Sequence, residues 1–233
     1  MTLRRGSRGP KLVATRRPYS SLPVPPTDAT YPQGVTPVRR PDATFSGTSG
    51  GDFSADFAAA LTSLSGFTTR PEIDIDEAPA PQRLARFALA LTADVGGEDE
   101  LGSGRLVVLH DPDGQPTWQG TFRIVTFIRA HVESELAADP MLAEVGWAWL
   151  IESLQRHQAE YGHIAGTVTR TASTPFGSMT DQPAKGELEV RASWTAMHHN
   201  LAPHVRAWTE LLATAAGLEP LAPGVVALPR RTR

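Results

Sequence analysis

Residues 105–131 read RLVVLHDPDGQPTWQGTFRIVTFIRAH, and this stretch decides the fold. RLVVLH (105–110) is a short apolar strand. Asp111-Pro112-Asp113-Gly114 has turn chemistry, because Pro presets φ at the second position and Gly accepts a positive φ. Over 117–131, Trp118, Gly120, Phe122, Ile124, Thr126, Ile128 and Ala130 fall on one side. Thr117, Gln119, Thr121, Arg123, Val125, Phe127, Arg129 and His131 fall on the other. A period of two places alternate side chains on opposite faces of a strand. The two runs predict an antiparallel hairpin.

The flanking sequence supplies more strands and the helices to cover them. FALALTADV (87–95) alternates Phe87, Leu89, Leu91, Ala93 and Val95 against Ala88, Ala90, Thr92 and Asp94, and reads as a strand. GGEDELGSG (96–104) reads as a loop. In EIDIDEA (72–78), Ile73 and Ile75 alternate with Glu72, Asp74 and Asp76, the pattern of a half-buried strand. FSADFAAALTSLS (53–65) spaces its apolar residues as a helix, with Gly66 as its stop. Downstream, 133–139 is a helical turn and Pro140 opens a helix over 140–160. Two strands follow, at Ile164–Ser173 and Glu187–Thr195. The second directs Leu188, Val190, Ala192 and Trp194 inward and Glu187, Glu189, Arg191 and Ser193 outward. Asn200 is the expected cap of a last helix whose stripe is Leu201, Val205, Trp208, Leu211, Leu212 and Ala215. The expected fold is a single α+β domain over 53–228. A mainly antiparallel sheet of about six strands would carry helices on one face.

The chain has 233 residues, of which 40% are hydrophobic and 20% charged. It contains no cysteine, which excludes disulfides, thiolate zinc sites, iron–sulfur clusters and a cysteine nucleophile. No apolar run approaches the ~20 residues of a membrane span. The net charge of −3 hides a split. Residues 1–52 carry eight Lys and Arg against three acids, a net +5. Residues 53–228 stand at −11, and Arg230, Arg231 and Arg233 end the chain with +3. Eight prolines lie between Pro10 and Pro41, where no apolar periodicity survives. Residues 1–52 therefore read as a disordered Pro/Arg-rich tail, and 229–233 as a basic C-terminal tail. The acidic domain argues against a nucleic-acid partner.

Several groups invite a chemical reading. Glu72, Asp74 and Asp76 share one strand face, with Glu77 beside them. Three carboxylates at this spacing suit Mg²⁺ or Ca²⁺, and equally suit a charged edge that blocks sheet aggregation, the favoured reading. His110 with Asp111 and Asp113 lacks the length and terminal Glu of a calcium loop, so a turn accounts for it. His198, His199 and His204 gather at the last helix, and His157 and His163 bracket another helix end, without zinc-protease spacing. His204, near a helix N-terminus, should be neutral. No nucleophile elbow, P-loop or dinucleotide fingerprint occurs. The glycines at 96–104 sit among Glu98, Asp99 and Glu100, the wrong field for a phosphate.

VGWAWLI (145–151) is apolar almost all round, so its helix should be covered on more than one side. Trp147 and Trp149 lie about 200° apart on a helix and cannot both enter one core. One reading sandwiches them between the sheet and a chain end such as Leu218–Leu228; the other makes them a partner or self-association face. The polar sheet side, with Thr121, Arg123, Arg129, Glu187, Glu189 and Arg191, is a solvated charge ladder or a docking platform. Candidate interaction residues are thus Trp147, Trp149, Arg123, Arg129 and Arg191. No catalytic residue and no cofactor is expected.

Four stretches carry a resemblance: RPEIDIDEAPAPQRLA (70–85), GRLVVLHDPDGQPTWQGTFRIVTFIRA (104–130), DPMLAEVGWAWL (139–150), and ELEVRASWT (187–195) with AWTELLATAAGLEPLAPGV (207–225). Through them the sequence resembles an actinobacterial family catalogued as domain of unknown function 3000. Arginine dominance over lysine, with only Lys11 and Lys185, suits a GC-rich genome. The resemblance implies a cytoplasmic bacterial protein and brings no catalytic residue. The element order is also similar to secretion-chaperone-type folds, non-catalytic dimers, as an analogy of fold alone. The leading expectation is a non-enzymatic cytoplasmic interaction module forming a homodimer with no membrane association. The alternative is a metal-dependent enzyme or small-ligand binder using the Glu72–Glu77 strand or the histidines.

Overall fold

The computed structural model describes residues 48–49, 54–81, 83–97 and 100–220. The expected tails, 1–52 apart from 48–49 and 229–233, lie outside these residues, as does most of the Leu218–Leu228 segment. Thr48–Ser49 (β1) bridges to Ala88 and Phe87, so this part of the sequence read as tail joins the sheet. Six longer strands complete the sheet: Ile73–Ala78 (β2), Phe87–Val95 (β3), Gly102–Gln115 (β4), Gly120–Val132 (β5), Tyr161–Ser173 (β6) and Lys185–Ala196 (β7). Their order is β3-β4-β5-β7-β6, with β1 and β2 sharing the outer side of β3, and every pairing is antiparallel. Among the described residues four α-helices accompany them: Ala55–Ser63 (α1), Ser134–Ala138 (α2), Leu142–Arg156 (α3) and Ala202–Ala215 (α4). This is the expected single-domain α+β fold.

Alternation places Leu106, Val108, Phe122, Ile124, Ile128, Leu188, Val190 and Trp194 in one apolar layer, all buried beneath the helices. α4 crosses β3, β4 and β5, while α2 and α3 lie over β6 and β7. Two glycines that read as loop face close neighbours, Gly102 the β5 backbone at Arg129 and Ala130, and Gly104 the seat of α4. A Cβ on Gly104 would lie 3.0 Å from the Trp208 indole and 3.3 Å from Leu212. The bare backbone there lets the largest side chain of α4 meet the sheet. Gly102 and Gly104 are consequently strand residues paired with β3 and β5.

The hairpin is longer than its local turn signal indicates. Pairing runs to His110 opposite Phe122 and resumes at Gln115 opposite Gly120, so Asp111–Gly114 form an irregularity within β4. The Asp111 Oδ1 accepts from the Asp113 amide and Gly114 takes φ +72°, so the turn chemistry is real but shapes a bulge. The chain reverses at Pro116–Gln119, where Gln119 takes φ 53°. Trp118 therefore leaves the Phe122 side. It packs on the opposite sheet face with Ala88 and Leu109.

The helices also redistribute burial. α4, rather than α3, is buried almost all round. The buried stripe of α3 is Leu142, Gly146, Leu150, Ser153 and Leu154, with the sheet beneath and α4 alongside. Asn200 does not cap α4. Leu201 takes that position, and its amide donates to Ser63 Oγ at 2.9 Å, tying α4 to α1. Gly66 and Gly217 adopt φ +70° and +73° behind α1 and α4, as expected of helix stops.

Two buried polar rings sit inside this core. The Trp194 indole N–H donates to Nδ1 of His204 at 3.1 Å, which fixes His204 as the neutral Nε2–H tautomer. Burial lowers the His204 pKa to about 4. An unfolded histidine binds a proton below its ordinary value near 6.5, whereas the folded one resists until about 4. This contribution to stability is full above pH 6.5 and lost as pH falls toward 4, about 3 kcal/mol in all. Urea unfolding at pH 7 and 4.5 should show a smaller acid loss for His204→Gln than for the wild type; equal losses would contradict the assignment. Gly104→Val should lower stability by about 1–3 kcal/mol through overpacking against Trp208. An unchanged urea midpoint would show that α4 does not need the gap.

Candidate functional site

The face of the sheet away from the helices is the surface that its strands leave open. One corner is closed by Ala80 and Ala85, which pack on Ala88, Leu109 and Trp118. Arg105 helps fasten it, donating from Nη2 to the Pro79 carbonyl at 2.9 Å. Elsewhere no helix among the described residues covers this face. Strand register brings side chains from three strands together. Val107 lies opposite Val125, Arg105 opposite Phe127, and Phe127 opposite Arg191. The result is an open groove of about 560 Å³ lined by Arg105, Val107, Val125, Phe127, Arg191 and Ser193 among others. Val125 is 39% exposed at its centre, and the Arg191 guanidinium lies 5.0 Å from the Phe127 ring centroid.

The three arginines expected on this face all lie there, with different work. Arg123 is a bracket: it donates to the His163 carbonyl at 2.9 Å, Thr195 Oγ1 at 3.1 Å and Ser193 Oγ at 2.6 Å. Partial burial draws its pKa below the usual guanidinium value. Arg129 pairs with Glu187 and Arg191 with Glu189, each at 2.6 Å. These hydrogen bonds raise both arginine pKa values and lower that of Glu189. Exposed pairs of this kind are weakly held.

Trp147 and Trp149 are on the other side of the sheet. They flank the buried stripe of α3, each half-buried against the main core, and do not join the arginines. Glu72, Asp74 and Asp76 lie at the β2 margin. Glu72 pairs with Arg70 at 3.2 Å, while Asp74 sits opposite Asp94. Burial, then Asp76 and Asp74, raises the Asp94 pKa. Among the described residues no three His, Asp or Glu side chains converge as a metal-binding group. The histidines are dispersed: His157 meets Glu210 across the α3–α4 boundary, His198 meets Glu160, and His163 occupies the β6 irregularity with φ 50°.

One pairing escaped the sequence reading. Ser54 Oγ lies 2.8 Å from His110 Nε2, and His110 Nδ1 lies 3.0 Å from the Thr121 carbonyl. Nδ1–H therefore donates to that carbonyl, leaving Nε2 to accept the serine hydroxyl. Nucleophile and base are within reach, as in hydrolases, yet the pair is committed to structure. Ser54 Oγ is the N-cap of α1, accepting from the Phe57 amide at 3.2 Å. His110 is fully buried, its ring 4.1 Å from that of Phe122 and stacked on Phe57. Burial pushes its pKa down. The sequence distance of 56 residues between partners left no local signal. Ser54→Ala should cost about 1 kcal/mol as a lost cap. Labelling of Ser54 by a fluorophosphonate would overturn the structural assignment.

Neither the curated proteins nor the solved structures include a match to this chain. A family profile does match, over residues 53–226, from the first helix through the last. The chain belongs to the family described as protein of unknown function DUF3000.

Proposed function

We propose that this domain is a non-enzymatic protein-interaction module, and that its docking surface is the groove on the open sheet face. The partner is a protein segment that presents carboxylates around an aromatic or aliphatic anchor. One observation carries this reading: Val107, Val125 and Phe127 form an apolar floor between Arg105 and Arg191, and no acidic residue lines the groove. Apolar area supplies an anchor point, and arginine supplies paired donors for carboxylates. The chain is acidic overall, so a cationic, apolar patch on it is a local departure. Two of the hydroxyls that line the groove are held by structural hydrogen bonds, Thr126 donating to the Arg105 carbonyl and Ser193 accepting from Arg123, and the Ser54–His110 pair lies elsewhere and is built into the core.

The cytoplasm is the proposed setting, on the implication of the family resemblance. No helix among the described residues is long and apolar enough to cross a membrane. Selection from a phage-displayed random peptide library should enrich sequences with Asp or Glu flanking an aromatic residue. Binding of a selected peptide should fall at least about tenfold with Phe127→Ser or Arg191→Glu, with unchanged circular dichroism. Enrichment of basic peptides, tighter binding of a duplex DNA probe, or indifference to both substitutions would overturn the reading.

A further inference from the structure

β6 is the exposed margin of the sheet. Among the described residues it pairs only with β7, and it extends for 13 residues. Natural edge strands are usually blunted by lysine, proline or brevity. From Ala165 to Ser173 this one reads AGTVTRTAS, mostly small or β-branched, with its irregularity confined to Gly162–Ala165. The helices beside it are also incompletely covered, with Leu136, Met141 and Val145 exposed on or next to α2 and α3. Between α3 and β6 runs a second groove of about 350 Å³, lined by Ala143, Glu144, Trp147, Gly166 and Val168.

We propose that a second copy of this chain pairs with this edge, β6 against β6, about a two-fold axis at Val168. Charge and shape are self-complementary in that register. An antiparallel pair centred on Val168 sets Thr167 opposite Thr169, Ala165 opposite Thr171, and Arg170 opposite Gly166. Thr–Thr pairs are favourable cross-strand neighbours. Glu144 stands in the groove beside Gly166, so Arg170 of each copy arrives next to Glu144 of the other. Arg170 lies on the helix-covered side of β6, the side that carries Glu144, and donates to the Ala137 and Ala138 carbonyls of α2 at 3.0 and 3.2 Å. An axis perpendicular to the sheet keeps both helical layers on one side. The Trp147 and Val168 of each copy then meet in one apolar seam. The interface is isologous and closes at two copies. It gives Trp147 the self-association role and leaves Trp149 to pack within its own protomer. Continuation of the sheet sets two arginine-walled grooves on one shared face.

Sedimentation velocity of the full chain at micromolar concentration should show a dimer. Thr167→Lys with Thr169→Lys places like charges opposite each other twice, and should raise the dimer dissociation constant at least about tenfold. Thr167→Lys with Thr169→Glu, which opposes unlike charges in the same register, should restore the dimer. The chain has no cysteine, so Val168→Cys tests the axis directly, and mild oxidation should give a covalent dimer. A monomer at these concentrations, a dimer indifferent to the double-lysine variant, or a Val168→Cys protein that stays uncrosslinked would overturn the proposal. A monomer that still binds selected peptides would refute this interface alone, while a dimer that binds none would refute the docking surface alone.

Discussion

The architecture depends on one close approach: the Trp208 indole of α4 resting on the bare backbone of Gly104. A helix normally lies on a sheet at a distance set by the side chains of both. Here β4 contributes nothing at the crossing, and α4 contributes its largest residue. Trp208 and Trp194 can then both be fully buried, with His204 taking the Trp194 indole proton. Because α4 sits this deep, it is covered on nearly every side, with α3 packed alongside and α1 tied to its N-terminal end. Leu201 bound to Ser63 fixes the α1 side, and Glu210, midway along α4, bound to His157 and Arg156 fixes the α3 side.

A sheet roofed so completely on one side must resolve its other side differently. Part is closed by Trp118, Ala80 and Ala85, which pack on Ala88 and Leu109. The rest carries arginines paired with glutamates, Arg129 with Glu187 across strands and Arg191 with Glu189 along β7, with valine and phenylalanine beside them. This division follows from the β4–β5 irregularity. Gly114 and the turn after it swing Trp118 to the outer face, and Thr195 Oγ1 donates to the Trp118 carbonyl at 2.5 Å. Arg123 holds the same hydroxyl and reaches the β6 irregularity at His163. One hydrogen-bonded chain therefore spans β5, β7 and β6.

What the sequence disclosed was whatever a period of two or 3.6 could express. The inward residues of β3, β5 and β7 and the buried stripe of α4 were legible because burial is set by alternation along one segment. Gly104 was not, because its reason is the volume of a residue 104 positions away. Asp111–Gly114 misled for a related cause: local turn chemistry was correct, but pairing beyond it extended the strands to Gln115 and Gly120. The face occupied by Arg123, Arg129 and Arg191 was readable, whereas the groove was not. Val107, Val125 and Phe127 become neighbours only through register between strands, and β7 reaches β5 across 52 residues of intervening chain between Val132 and Lys185.

The edge and the face answer different physical demands. Backbone groups along β6 must meet water or another strand, and small side chains leave them accessible to either. Cation-walled apolar surface is costly to leave wet but need not be covered by the same molecule. If a second copy takes the edge, its own Arg105 and Arg191 come to lie on the same side of the enlarged sheet as the first pair. A ligand long enough to cross both grooves would then gain effective concentration from dimerisation without any new contact. In that arrangement, weakening the β6 pairing weakens long partners more than short ones. Substitution at Phe127 weakens both.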